Sequence, residues 1–478
     1  MSNPFEFLAQ QAAAGNLSRR QFLSGAGLGL GSIALGSLLH GESAPQLGGL
    51  PQPHHTPKAK NVIFLFMGGG PSQLDLFEPK PKLMELDGQP VPASLTDGKR
   101  FAFIDNDARL MGSARKFKKY GQCGMDFSEL VPHMGGVADD LCMIRTMATD
   151  IINHGPAKMF VNTGTQLLGR PSMGSWINYG LGSESDDLPG FVVMSSGDRG
   201  PNGGKYLWSS GFLPSSYQGV ALRSGGEPVL DLKNPPGIND TRQAAFFETV
   251  GELNRLRHEE VGDAEIETRT AAYEMAARMQ VSAPELTDLR SEPKSVLDLY
   301  GVEPGEPSFA ANCLLARRMV ERGVRFVQLY HTDWDHHGTS FLNLGGPLES
   351  IAKSVDQASA ALVTDLKQRG LLEDTLVIWG GEFGRTPMRQ SQIAPGRDHH
   401  IDAYSMWMAG GGVKSGYVHG VTDELGFSTL EGGVHIHDLH ATILHLLGLD
   451  HLRLTYRSQG RNFRLTDVGG EVQYDLLA

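Results

Sequence analysis

Seven consecutive residues, His331-Thr332-Asp333-Trp334-Asp335-His336-His337, hold three histidines and two aspartates directly after the apolar run 324–330. Packing does not ask for such a set. Carboxylate oxygen and imidazole nitrogen together suit Zn or a harder divalent ion, so Asp335 and His337 are the first candidates for metal binding or catalysis. His336 and Asp333 are second choices or partners behind the ligands, and His331 can close the strand through a backbone bond. A second cluster follows the run 375–379: Gly381-Glu382-Phe383-Gly384-Arg385 places Glu382 at a buried strand end, where it needs either a metal or the nearby Arg385. The segment Gly396-Arg397-Asp398-His399-His400 repeats the acidic and imidazole chemistry. There Arg397 could hold a phosphate or sulfate oxygen, or simply pair with Asp398. After the run 141–147, Asn153-His154-Gly155-Pro156 opens a helix that carries Lys158. A histidine in that place caps the helix or faces an anion bound at its N-terminus.

The elements that must position these groups read as alternating strands and helices. The run 61–67 is continuous and apolar, as strands buried on both faces are, and similar, largely apolar runs recur at 141–147, 191–194, 324–330, 375–379 and 404–408. Between them, 308–322, 348–369 and 437–447 place apolar residues at i, i+3, i+4 and i+7. This alternation predicts an α/β fold, a three-layer α/β/α sandwich with a mostly parallel central sheet, whose ligands bind beyond the carboxyl ends of the strands. The charged stretch 239–280 reads as a helical excursion covering one side. A single domain is expected over 61–478. The sequence has 478 residues and a formal net charge of -12, which argues against nucleic acid as a partner. Its three cysteines, Cys123, Cys142 and Cys313, are too few and too far apart for a thiolate zinc site. Any metal must therefore sit on oxygen and nitrogen ligands.

Residues 17–39 read LSRRQFLSGAGLGLGSIALGSLL, with Arg19 and Arg20 ahead of a Gly-rich apolar run. This predicts a Tat-type export signal over 1–44, hence passage through the Tat machinery to a periplasmic or extracellular location. The run is short and Gly-diluted beside the roughly 20 strongly apolar residues of a membrane span, so no stable span is expected. A linker follows at 45–60, in which His54 and His55 are expected to be solvated.

In order along the chain, the blocks VIFLFMGGGPSQLDLFEPKP (62–81), NHGPAKMFVNTGTQLLGRPSMGSW (153–176), WDHHG (334–338), WGGEFGRTP (379–387), GRDHH (396–400) and HDLHATILHLLGL (437–449) resemble the alkaline phosphatase and sulfatase superfamily. More closely, they resemble the bacterial family called domain of unknown function 1501. In the sulfatase frame C-x-P-S-R-x-x-x-x-T-G, His154 stands at the nucleophile's place and Lys158 at the arginine's, with Pro156, Thr163 and Gly164 in register. The strand-end D-H-G falls on Glu382-Phe383-Gly384, and His399 falls on a late metal-binding histidine. The superfamily's Asp after the first strand is replaced by Gly68, Gly69 and Gly70, leaving Asp75 as the nearest carboxylate. The resemblance implies an alkaline-phosphatase-like fold. It also implies an exported metal-dependent hydrolase acting on phosphate, sulfate or related esters, of a small molecule or a polysaccharide. Asp335, His337, Glu382 and His399, with Asp75 as a further candidate, would bind a divalent ion (Zn, Ca, Mg or Mn). His154 would be nucleophile, general base or extra ligand, and Lys158 and Arg397 would stabilise developing charge. The alternative is a non-catalytic secreted protein that keeps the metal for binding or stability.

Overall fold

The computed structural model describes residues 52–99, 101–104, 108–197, 199–223, 238–262 and 264–478. The segment expected to be an export signal, with Arg19 and Arg20, and the first part of the expected linker lie outside the described residues.

Asn61–Met67, NVIFLFM, is buried at every position and forms β1. Because side chains alternate across a strand, Ile63, Leu65 and Met67 enter one core while Val62, Phe64 and Phe66 enter another. Two cores, one on each face, are what a three-layer fold requires. The other strands of this sheet are β2 Leu141–Ala148, β3 Phe191–Ser196, β4 Val220–Ala221, β5 Phe326–His331, β6 Thr375–Gly380, β7 Tyr404–Ala409, β8 Tyr417–His419 and β9 Val434–His435. Their order is β8-β2-β7-β6-β1-β5-β3-β4, with β9 also beside β2. β1 pairs in parallel with β5 and β6, Val62 lying opposite Phe326 and Leu376. Only β7 is reversed, antiparallel to both β6 and β2. The carboxyl ends of β1, β5 and β6 therefore share one edge, as the apolar runs predict.

The helices divide between the faces. α1 His154–Thr163, α2 Met173–Leu181 and α7 Ile436–Leu446 pack on the core that contains Phe64. α5 Phe309–Glu321 and α6 Gly346–Gln368 pack on the other, joined by the end of the helical pair α3 Asp240–Val261 and α4 Ala264–Thr287. Burying each large apolar side chain contributes about 1.5–3 kcal/mol, so the two cores hold the sheet edge rigidly. A separate antiparallel sheet sits at that edge. In it Gly384–Arg389 pairs with Arg397–His400, and Arg109–Leu110 adds a third strand.

The expectation that His54 and His55 are solvated is corrected. His54 Nδ1 accepts from the Asp450 amide at 2.9 Å, and His55 Nε2 lies 2.9 Å from the His445 carbonyl with the two rings 4.4 Å apart. The described part of this segment lies along the end of α7, where the His55, Lys58 and Ala59 amides donate to the Gly448 and Leu446 carbonyls. Among the described residues, no helix is long and apolar enough to cross a membrane.

Candidate metal centre

The turn after β1 decides how close the site's segments can come. Gly69 has φ +126°, and a Cβ there would lie 2.7 to 2.8 Å from the backbone of Trp334 and Asp335. Only glycine lets the 331–335 segment pass this close. At Gly70, φ +72°, a Cβ would lie 2.8 Å from the Phe383 ring.

Onto this turn four side chains converge: His154 from the start of α1, Asp335 and His337 from the segment after β5, and His399 from the edge hairpin. One ligand atom of each lies within 4.8 Å of all the others. Asp335 Oδ1 is the hub, 2.7 Å from His337 Nε2, 3.0 Å from His154 Nε2 and 3.7 Å from His399 Nε2. The Nε2 atoms of His337 and His399 are themselves 3.0 Å apart. Each imidazole is fixed from behind through Nδ1. His154 meets Glu382 Oε1 at 2.6 Å, His399 meets the Ile152 carbonyl at 2.6 Å, and His337 meets Gln390 Oε1. In a neutral ring, carbonyl and carboxylate acceptors at Nδ1 put the proton there and leave Nε2 with a lone pair. His154 Nε2, buried and near Asp335 but off the line of a hydrogen bond, has no hydrogen-bond partner.

The electrostatics follow from the contacts. Burial alone would push the Glu382 carboxyl up, but the Lys158 ammonium 3.5 Å away and the His154 hydrogen bond hold it down, to about 2. Asp335 is likewise opposed by burial but held well below the carboxylate range by the three histidines and by Arg385. Burial, together with the positive charge of Arg385, lowers His399 to about 4 despite Asp335. His154 goes the other way: burial opposes its protonation, while its contacts with Asp335 and Glu382 raise it. Asp335 keeps a third of its side chain exposed, so the hub faces an opening.

Three expected site residues lie elsewhere. Glu382, expected to share the ion, sits behind His154 instead, fully buried, and accepts the Gly69 amide at 2.9 and 3.1 Å. Asp75, the possible first-strand ligand, and Arg397, the expected anion clamp, pair with each other at 2.8 Å. Asp75 also accepts Ser72 and Ser113 hydroxyls at 2.5 and 2.7 Å. That pair is closed on itself, because two buried opposite charges from distant segments satisfy each other before any ligand does. Lys158 is buried beside Glu382. Of the second choices, His336 turns away to the Trp334 carbonyl and Asp333 takes the Thr332 hydroxyl. His331 is held by Trp334 Nε1 at 3.2 Å.

Arg385 is the functional residue that sequence reasoning misplaced. It leaves Glu382 alone and donates to Asp335 Oδ1 at 2.6 Å, to the Gly70 carbonyl at 2.8 Å and to the Gly69 carbonyl. Gln390 and the Ile152 carbonyl carry no sequence signal, since any amide or backbone carbonyl can hold an imidazole. Phe383, where the sulfatase frame has a histidine, packs its ring 4.9 Å from His154 and 4.4 Å from His399.

None of the curated proteins matches the sequence. Among solved structures, the chain is similar to the lipoteichoic acid synthase LtaP from Listeria monocytogenes, with 9% identity, TM-score 0.33, and 86% of this chain and 76% of that one covered. It is also similar to the PsFucS1 sulfatase from Pseudoalteromonas sp., with 11% identity, TM-score 0.34, and 88% and 70% covered. A protein in the alkaline phosphatase superfamily from Vibrio parahaemolyticus shows 10% identity, TM-score 0.33, and 85% and 72% covered. Likeness at this level says nothing of activity. The family model described as "Protein of unknown function (DUF1501)" matches residues 59–477, nearly the whole described chain, and the chain belongs to that family.

Proposed function

We propose that this chain is an exported, metal-dependent hydrolase of phosphate, sulfate or related esters, with His154, Asp335, His337 and His399 holding one divalent ion. The observation that carries the reading is the shared orientation of three imidazoles, each tied at Nδ1 and each turning Nε2 toward Asp335 Oδ1. Lone pairs of two imidazoles repel at 3.0 Å unless a cation or a proton lies between them. One proton satisfies one such contact; a divalent ion satisfies all four groups. Three nitrogens and one oxygen suit Zn or another first-row ion, and they do not suit Ca or Mg, which take oxygen ligands. With Phe383 filling the place of a further histidine, a single ion is expected.

Bound there, the ion supplies a Lewis acid and a bound water of lowered pKa. The chain's own residues do the rest. Glu382, kept ionised by Lys158, holds the Nδ1 proton of His154 and so fixes which nitrogen faces the ion. Arg385 holds Asp335 in place and tempers its charge. Asn153 makes no side-chain cap, so the first amides of α1 are free to meet an oxyanion. The sulfatase-like frame from His154 to Gly164 supports an ester of phosphate or sulfate, and the twin-arginine segment supports export.

One observation favours a second reading, a metal-containing binding protein without turnover. Glu382, Asp75, Lys158 and Arg397 are all engaged in buried pairs, which leaves, among the described residues of the expected site, no spare carboxylate or lysine to act as nucleophile or base. The test is turnover of aryl phosphates, phosphodiesters and aryl sulfates by metal-loaded protein. The hydrolase reading expects activity that falls by about 10²-fold or more in His154→Ala. Absence of turnover in protein that does hold its ion selects the binder.

A further inference from the structure

The long helix α3 presents to solvent a face that, among the described residues, no other element packs against. Its inner side packs on α4: Phe247 stacks on Tyr273 with ring centroids 6.4 Å apart, and Gly251 comes close to Thr270. On the outer side Phe246, Leu253 and Leu256 are 62%, 56% and 58% exposed. Together with Arg242, Thr249 and Glu260, all exposed, they fall at spacings of 4, 3, 4, 3 and 4 residues. That is the a/d seam of a coiled-coil helix, a pattern with no purpose on a helix facing water. Thr249 spends its hydroxyl on the Ala245 carbonyl at 2.8 Å, so it offers the seam a methyl group.

The seam is complementary to itself when reversed. Laid antiparallel about an axis level with residue 251, it sets Phe246 against Leu256, Thr249 against Leu253 and Arg242 against Glu260, each pairing occurring twice. Neither Arg242 nor Glu260 has a side-chain partner of opposite charge among the described residues. We propose that the outer face of α3 is a docking surface for a second copy of this chain, with the two helices packed antiparallel. The four apolar layers supply the attraction, and the arginine–glutamate pairs at both ends fix the register. In a parallel arrangement Arg242 would meet Arg242 and Glu260 would meet Glu260, which disfavours it. A single helix seam lies at the small end of stable interfaces, so the association is expected to depend on concentration.

Sedimentation velocity of the full chain over a range of concentrations tests this. The wild type is expected to shift from monomer to dimer. Leu253→Glu, at an exposed position, is expected to raise the dissociation constant about tenfold or more, with the circular dichroism spectrum unchanged. Arg242→Glu is expected to weaken the dimer, and adding Glu260→Arg to restore it, because the reversed charges pair again. A wild type that stays monomeric throughout, a dimer that Leu253→Glu leaves intact, or a double variant no stronger than Arg242→Glu overturns the proposal.

Discussion

Glu382 touches none of the converging Nε2 atoms, yet the orientation of His154 depends on it: the carboxylate takes the Nδ1 proton at 2.6 Å and is itself held by the Gly69 amide and Lys158. Replacing it by glutamine keeps the shape but removes the charge. Glu382→Gln is therefore expected to weaken zinc binding about 10- to 100-fold, read by competition with a chelator of known affinity; an unchanged affinity would show that His154 is oriented by something else. Asp335 and His337 stood out in the sequence because acidic and imidazole residues bunched after a buried strand have few packing reasons to be there, whereas His399 stood out by its place in the family resemblance. Which carboxylate stands in front and which behind was not legible. Glu382 and His154 are 228 residues apart, and a buried glutamate's partner depends on where the chain brings other charges. The same holds for Asp75 and Arg397, 322 residues apart: Arg397 had a local candidate partner in Asp398, and the fold chose a distant one.

Two turns and a hairpin assemble the centre from the elements. The work of the glycines after β1 is spatial, since Gly69 lets the Asp335 segment cross at van der Waals limits and gives its amide to Glu382. A methyl group there collides with backbone, which cannot swing aside. Gly69→Ala is expected to cost about 1–3 kcal/mol of stability, measured as a fall in the urea midpoint, and to reduce metal content with it. Full stability and full metal content in that variant would contradict this account of the turn. The segments around Arg385 and His399 read as separate loops, because neither is apolar enough to announce a strand. They are the two arms of one hairpin, with Arg385 opposite His399, joined through residues 390–396. Buried polar strands at a site escape pattern reading, which relies on apolar runs.

For the molecule as a whole, the parallel sheet and its working edge were legible, since β1, β5 and β6 are largely apolar, β1 ends in a glycine turn, and polar clusters follow β5 and β6. The reversal of β7 was not, because an apolar run carries no direction. The fold also buries several histidines in neutral form. Burial lowers His331 and His336 to about 4 and His440 to about 3 from an ordinary 6.5. With native values depressed, the unfolded chain takes up protons below pH 6.5 that the native chain refuses. Their contribution to stability is complete above that pH and is lost between about 6.5 and 4, at about 1.4 kcal/mol per pH unit for each histidine. Urea unfolding of metal-free protein is expected to show stability falling steadily from pH 6.5 to 4.5; a flat profile across that window would contradict the burial of these groups in neutral form.

The measurement that bears most directly on the central claim is the metal content of the intact chain and of the variants Asp335→Ala and His337→Ala, purified alike, dialysed against zinc and analysed by mass spectrometry. About one tightly held equivalent per chain is predicted for the wild type, with its loss in both variants while their circular dichroism spectra stay unchanged. A wild type that retains no ion, or variants that retain it undiminished, would contradict the four-residue centre.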